Sequence, residues 1–485
     1  MKKNVSDIGW NFSNSYTSFS ETMYTRISPV PVKDPSIVIF NKVLSKELGL
    51  DFTNLSTSSV AQLFCGNVLP EGSEPLAQAY AGHQFGHFTN LGDGRAIVIG
   101  EHISPKKNKF DIQFKGSGPT PYSRGADGRA VLGPMLREYI ISEAMHALGI
   151  ATTRSLAVVK TGEYVFRESP LPGAVLTRVA ASHIRVGTFQ YLASKGDVSN
   201  LRKLVEYSIS RHYPHIEKEE NLAIALLNEV IKKQIDLIIS WMRVGFIHVV
   251  MNTDNMTISG ETIDYGPCAF MDQYDNTTCF SSIDLQGRYS YGNQPIAAHW
   301  NLARFAETLL PLIHQDENEA IKIAEQIINS FKSKYEIAWL KMMRAKIGFF
   351  GKEGMDSMLI HKLLQWMHSS KADYTNTFCY LMGHRLGNIK SYQETTFIDW
   401  HKEWQDRIKR SKKSESEVLS MMQSVNPVII PRNHLIEESL QDAEKGDLSR
   451  FKKMLKFLKY PYSYQEGLVS FQIPSDREYK TFCGT

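Results

Sequence analysis

Apolar positions change their spacing along the chain, and the change divides it in two. From about residue 80 to 186, apolar residues fall in short alternating runs between glycines. Phe110, Ile112 and Phe114 occupy every second position, the period of a half-buried strand, because successive side chains of an extended backbone point to opposite faces. Residues 96–100, 155–159, 164–167 and 176–180 read as further strands, with Lys160-Thr161-Gly162-Glu163 as a hairpin-like link. One helix is predicted among them, over 134–148, because Pro134 suits a first turn and Gly149 an end. Beyond 186 the period lengthens. The spacing predicts helices over 221–243, 294–312, 318–344, 357–368 and 394–409, with two short strand-like runs at 256–258 and 262–264.

A strand-rich segment with one helix, followed by a helix-rich one, predicts an α+β, two-lobed protein whose ligand site lies in the cleft between lobes. The expected division is a segment 1–80 packing on a strand-rich lobe 81–186, a helical lobe 187–330, and a helical extension with a tail over 331–485.

Composition narrows the function classes. The 485 residues are 42% hydrophobic, enough for a sizeable core. Fifty-five basic and 51 acidic residues leave a net +4, with no concentrated basic patch of the kind that nucleic acid or an anionic membrane requires. No apolar run of about 18 residues occurs and the first residues lack a secretory apolar region, so a soluble, cytoplasmic monomer is expected. Five widely spaced cysteines without a C-x-x-C pair argue against zinc and against a disulfide framework.

Four clusters carry candidate chemistry. Gly92 and Gly94 flank Asp93 and precede Arg95 and a strand; glycines let a backbone approach phosphate and arginine binds it bidentately, although a plain turn uses the same residues. Lys115 closes the strand at 110–115, as does the lysine that holds nucleotide phosphates in kinases. Its partner would be Glu138, at the border of the apolar arc of Leu136, Ile140, Ile141, Ala144 and Leu148; Glu143 competes but reads as solvated. Residues 122–130 bring glycines, arginines and Asp127 before a helix N-terminus, a place suited to anions, and Arg178 and Arg185 add two guanidinium groups seven residues apart. Finally, Asp254 and Asn255 are followed by Asp264-Tyr265-Gly266. Carboxylate and amide oxygens suit a hard divalent cation shared with phosphate, and the order Lys, Glu, Asp-Asn, Asp is that of a kinase. His83 and His87 have the spacing of a metal pair on a helix, but Gly82 and Gly86 argue against a helix, so structural roles are expected.

The segments YAGHQFG (80–86), LGDGRA (91–96), FKGSGPTPYSRGADGRA (114–130), NTDN (252–255), IDYGP (263–267) and GRYSYGNQP (287–295) together resemble the SelO family of protein adenylyltransferases. The resemblance implies a kinase-like fold that holds ATP reversed, so that AMP passes to Ser, Thr or Tyr hydroxyls of proteins and pyrophosphate leaves. It implies nucleotide contacts from Gly92, Gly94, Arg95, Lys115, Asp127, Gly128, Arg178, Arg185 and Asp264, and a Lys115–Glu138 pair. It implies Mg²⁺ or Mn²⁺ on Asn255 and Asp264, with Asp254 accepting the hydroxyl proton. The family pattern puts glycine after His248, where this chain has Val249; if the position needs a positive φ, valine is strained there. Selenocysteine-containing members place that residue near the same terminus, so Cys483 is expected to pair reversibly with Cys279, two reduced thiols being the alternative. Uridylylation from UTP, ordinary phosphotransfer and a non-catalytic nucleotide-binding scaffold are the competing readings. The Asn255–Asp264 constellation weighs against the scaffold, and the direct succession of Asp254 and Asn255 against a plain phosphotransferase loop.

Overall fold

The computed structural model describes residues 8–384, 389–475, 477 and 479–481. Twelve strands occur among them: β1 Tyr24–Arg26, β2 Ser36–Phe40, β3 Leu76–Gln78, β4 Ala81–Gln84, β5 His87–Asn90, β6 Ala96–Ile103, β7 Lys109–Lys115, β8 Ala130–Val131, β9 Arg154–Phe166, β10 Pro170–Ala180, β11 Phe246–Ile247 and β12 Ala269–Phe270. The main sheet runs β1-β3-β6-β7-β10-β9-β2, with β8 on β10, and its neighbours are antiparallel. Alternation along β6 sorts its side chains between two cores: Ile97 and Ile99 pack toward Leu63 and Phe64 of the Thr57–Phe64 helix, while Val98 faces the core that holds the Leu132–Ala147 helix.

The periodic helices form where predicted, as Leu222–Val244, Gln294–Ile313, Glu317–Lys346, Asp356–Ser369 and Thr395–Arg410. Strand-rich and helical parts give an α+β, two-lobed protein. Two expectations fail for local reasons. Residues 160–163 do not link two strands. Lys160 lies opposite Ala174 and Tyr164 opposite Pro172, so 161–163 bulge against Gly173 inside one continuous strand, with Gly162 at φ 74°. The strand-like runs at 256–258 and 262–264 do not form strands. Thr257 bridges to Arg185 and Thr262 to Thr152, tying the segment to the linker between lobes and to the approach to β9.

That linker, residues 181–185, is pinned from three sides. Arg211, on the Val198–His212 helix, donates to the Ala181 carbonyl (2.9 Å), to Asp111 of β7 (2.6 Å) and to Glu101 of β6. Asp111 also accepts from the His183 backbone N–H (2.8 Å) and pairs with His183 Nδ1 (3.0 Å). Burial holds His183 below its ordinary pKa, so the ring is neutral at pH 7 and donates from Nδ1. In the helical lobe, Gly245 adopts the left-handed conformation (φ 73°) that ends the Leu222–Val244 helix and turns the chain into β11. The β11–β12 pair then brackets the loop from His248 to Asp264. The Asn433–Glu444 helix lies against Leu132–Ala147, where Arg137 pairs with Glu437 and Tyr479 donates to the same carboxylate (2.6 Å).

Arg211→Met strands the buried carboxylates of Asp111 and Glu101 without their cation. Unfolding in urea is expected to show a loss of about 3–5 kcal/mol, far more than an exposed arginine would cost.

Candidate active site

Strand register places the cations of the cleft. Gln113 of β7 lies directly opposite Arg178 of β10, and Lys115, two residues on, shares their face; Lys115 also pairs with Ala96, the residue after Arg95. Lys115 Nζ donates to Glu138 Oε2 (2.7 Å) and to Asp264. Arg178 donates from Nε to Glu138 Oε1 (2.6 Å), and from its terminal nitrogens to Gln113 (3.2 Å) and Asp264 Oδ1 (3.2 Å). Two cations thus share two carboxylates. Burial alone would raise Glu138, but Arg178 and then Lys115 outweigh it and hold the carboxyl below its usual range. Asp264 is held well below that range in the same way, by Lys115, Arg178 and Arg95 against the effect of burial. Its backbone sits at φ 68°, a conformation aspartate tolerates better than most residues. Glu143, the competitor of Glu138, is not solvated but takes Arg154 (2.8 Å) and Asn41 (2.7 Å).

A second group stands beside this one. The Arg185 guanidinium lies 4.2 Å over the Tyr80 ring and donates to the Asp254 carbonyl (3.3 Å) and to Asp93 Oδ1 (3.5 Å). Asp93 is 2% exposed, and its other oxygen accepts from the Gln78 N–H (3.1 Å). Burial raises its pKa, and Arg185 offsets that in part. The Arg95 side chain is half-buried and makes no hydrogen bond or ion pair among the described residues, so its guanidinium is a free cation beside Asp264.

Gly92 and Gly94 are explained by packing: side chains there would run into the Tyr122 ring and its carbonyl, and Thr120 Oγ1 ties the 120–123 loop to the Asp93 carbonyl (2.6 Å). Gly128, at φ 63°, lies against the backbone of Gly118. Asp127 is half-exposed and paired with Arg167 (2.9 Å); among the described residues no hydrogen bond or ion pair joins it to the Lys115–Asp264 cluster.

Asp254 lies in a single 3₁₀ turn, Thr253–Asn255, and is 8% exposed. Burial pushes its carboxyl up to about 6, only partly opposed by Arg185, and Oδ1 is buried with no hydrogen-bond partner. Upstream, Val249 does adopt a positive φ (36°), and Val250 N–H donates to the His248 carbonyl in a tight turn. Tertiary packing overrides the valine preference: Val249 is 1% exposed, and the His248 ring stacks on Trp241 at 5.3 Å. Asn255 donates from Nδ2 to the Val250 carbonyl (3.1 Å), which leaves its amide oxygen free.

That oxygen and Asp264 are hard donors of the kind Mg²⁺ or Mn²⁺ takes. Among the described residues no group of three His, Cys, Asp or Glu could hold a metal by itself. The fit is therefore to a cation that completes its shell with phosphate oxygens and water, as Mg²⁺ does beside nucleotides.

Periodicity does not reveal the β4–β5 hairpin. Its two-residue turn, Phe85 (φ 50°) and Gly86 (φ 91°), has both central residues left-handed, a geometry usually signalled by Asn-Gly. The hairpin docks on the Thr253–Asn255 turn: His83 N–H donates to Thr253 Oγ1 (2.7 Å) and Phe85 N–H to Asn252 Oδ1 (3.0 Å). A methyl on Gly82 would come within 2.8 Å of Asp254 Oδ1. His83 bonds to Gln190 through Nδ1 (2.8 Å). Cys279 is half-buried and its thiol, raised by burial, points at Asp284 (3.6 Å to Oδ2); Cys483 lies outside the described residues. A cavity of about 1100 Å³ lies elsewhere, lined by Tyr274, Phe331, Tyr335 and Trp339.

A strand lysine paired with a helix glutamate, a pinned linker between lobes, and an Asp-Asn turn followed by a further aspartate define a kinase-like cleft. The chain belongs to the SelO family: the family model described as protein adenylyltransferase SelO matches residues 7–459. It is 56% identical over 481 residues to the protein nucleotidyltransferase YdiU of Pelagibacter ubique, covering 99% of this chain and all of that one. It is likewise 56% identical over 489 residues to YdiU of Bacillus thuringiensis subsp. konkukian, with both chains fully covered. The chain is therefore a nucleotidyltransferase. Among solved structures it overlaps with ROP2 of Toxoplasma gondii, described as having a protein-kinase fold and no enzymatic activity, at 9% identity and a TM-score of 0.26, over 70% of this chain and 88% of that one. So loose an overlap carries no functional weight.

Glu138→Gln removes the carboxylate that two buried cations share, and is expected to cost about 3–5 kcal/mol in chemical denaturation. Arg95→Gln, which breaks no bond, is expected to stay within about 0.5 kcal/mol of the parent protein.

Proposed function

We propose that the protein transfers AMP from ATP to Ser, Thr or Tyr hydroxyls of other proteins, with release of pyrophosphate. The observation that carries the reading is one buried carboxylate without a cation on it, Asp254, set beside a cluster of cations: Lys115, Arg95, Arg178 and Arg185 stand around Asp264 and the Asp254 backbone. Asp254 accepts the acceptor hydroxyl's proton, the hydroxyl oxygen forms a bond to the α-phosphorus, and the bond from that phosphorus to the bridging oxygen breaks, its electron pair leaving with pyrophosphate. The orphaned Oδ1 of Asp254 and a carboxyl raised to about 6 suit a base that is ionised at neutral pH yet still basic. Arg95, Arg178 and Arg185 balance the charge that accumulates on the leaving group, and Gly92, Gly94, Asp127 and Gly128 shape the loops that flank it. Asn255 and Asp264 would hold Mg²⁺ or Mn²⁺, which lowers the charge of the phosphates when bound.

In this reading residues 81–186 cradle the nucleotide, 187–330 supply the base and metal donors, 331–485 brace the lobes, and the protein acts as a cytoplasmic monomer. The Cys279–Cys483 pair remains part of the proposal, and a disulfide-linked peptide in mass spectra of oxidised protein is its test.

Incubation with ATP labelled at the α- or γ-phosphate, and with α-labelled UTP, tests the transfer. Protein label from α-ATP alone is expected; label from γ-ATP overturns the reading, and label from UTP alone makes the enzyme a uridylyltransferase. Asp264→Ala is expected to abolish transfer. The base works ionised, so kcat should rise with pH through an inflection near 6 and level off above it. Asp254→Asn should remove that inflection and lower kcat by about 10²–10⁴-fold.

A further inference from the structure

Next to the catalytic turn lies a cluster that the transfer chemistry does not use. Trp300, half-exposed on the Gln294–Ile313 helix, has two arginines over its ring, with Arg288 Cζ 4.7 Å and Arg304 Cζ 5.1 Å from the ring centre. His83 of the hairpin meets the same ring edge-on at 5.2 Å, and Phe88, 45% exposed, packs on His83 at 5.3 Å. Both arginines lie near enough to His83 to lower its pKa, after burial. Arg304 pairs with Glu307 on its own helix; Arg288 has no ion-pair partner among the described residues, and the Nε atoms of both are buried without an acceptor.

The cluster is joined to the base by short links. Tyr289, next to Arg288, donates to Asn252 Oδ1 (2.9 Å), two residues before Asp254, and His83 N–H donates to Thr253. The turn that carries Arg288 also holds Leu285, 93% exposed, with Asp284 Oδ1 accepting from Arg288 N–H (2.9 Å).

We infer that the Arg288–Trp300–Arg304 cluster and the β4–β5 hairpin form the docking surface for the acceptor protein, and that they select an acidic segment next to the modified hydroxyl. Two guanidinium groups over one indole, one of them with no ion-pair partner among the described residues, offer terminal donors of the kind that recognise carboxylates bidentately. Their place beside Asp254 puts that recognition within a few residues of the attacking hydroxyl. The inference rests on the proposed transfer to proteins, but its test reads binding separately from transfer.

The probes are two fluorescein-labelled peptides of equal length, each with one Ser and one Tyr, flanked by glutamates in one and by lysines in the other. Anisotropy should show the acidic peptide binding at least about tenfold tighter, and R288E/R304E should cancel the preference while ATP affinity stays unchanged. R288Q/R304Q should give an intermediate loss. Equal affinity for both peptides overturns the docking surface, as does a preference that survives charge reversal. Weakened ATP binding in either double variant overturns it too, by assigning the arginines to the nucleotide. With α-labelled ATP, label on both peptides at equal kcat/KM refutes only the selectivity. No label on either peptide or on denatured casein refutes the transfer reading itself.

Discussion

Everything in the cleft is organised around one buried carboxylate. Glu138 receives Lys115 on one oxygen and Arg178 on the other, and both cations reach on to Asp264. Charges this deep are costly to desolvate, and only mutual pairing with every donor used makes them tolerable. The requirement propagates outward. Lys115 and Arg178 must sit on one face of adjacent strands, the helix with Glu138 must lie across that face, and the loop with Asp264 must rise to meet it. The sheet register, the helix position and the β11–β12 bracket each satisfy one of these conditions.

Asp254 is governed by the opposite condition. It too is buried, yet no lysine or arginine side chain bonds to its carboxylate; Arg185 reaches only its carbonyl. Two groups of carboxylates in one cleft are therefore driven apart in pKa, one set permanently ionised and one poised near neutrality, and this separation divides structural charge from exchangeable proton.

Much of this was legible in the sequence where periodicity is strong. The strand ending at Lys115 and five helices of the second half follow from spacing, because a buried face repeats every second or every third to fourth residue, and the helix carrying Glu138 follows from Pro134 and Gly149 near its ends. Legibility failed where tertiary contacts decide. Lys160 to Glu163 carry turn chemistry but form a bulge, and the short strands β1 to β3 lack enough residues to show a period. Asp93 reads as a turn acid and is a buried anchor, and a Phe-Gly turn hides a hairpin that is hydrogen-bonded to Asn252 and Thr253 beneath it. The positive φ at Val249 was visible only as a departure from the family pattern.

The contact between Arg137 and Glu437 spans 300 residues of chain. The helix that carries Glu138 therefore leaves the ribosome long before the helix that covers its outer face. At about 5–20 residues per second the wait is about 15–60 s, during which that face has no permanent cover. Gly133, against which the Glu444 carboxylate lies, belongs to the same waiting surface. The helix with Glu138 thus gains its outer cover only when residues 433–444 have been made, so a translation product interrupted before them carries every cleft residue named above without that cover.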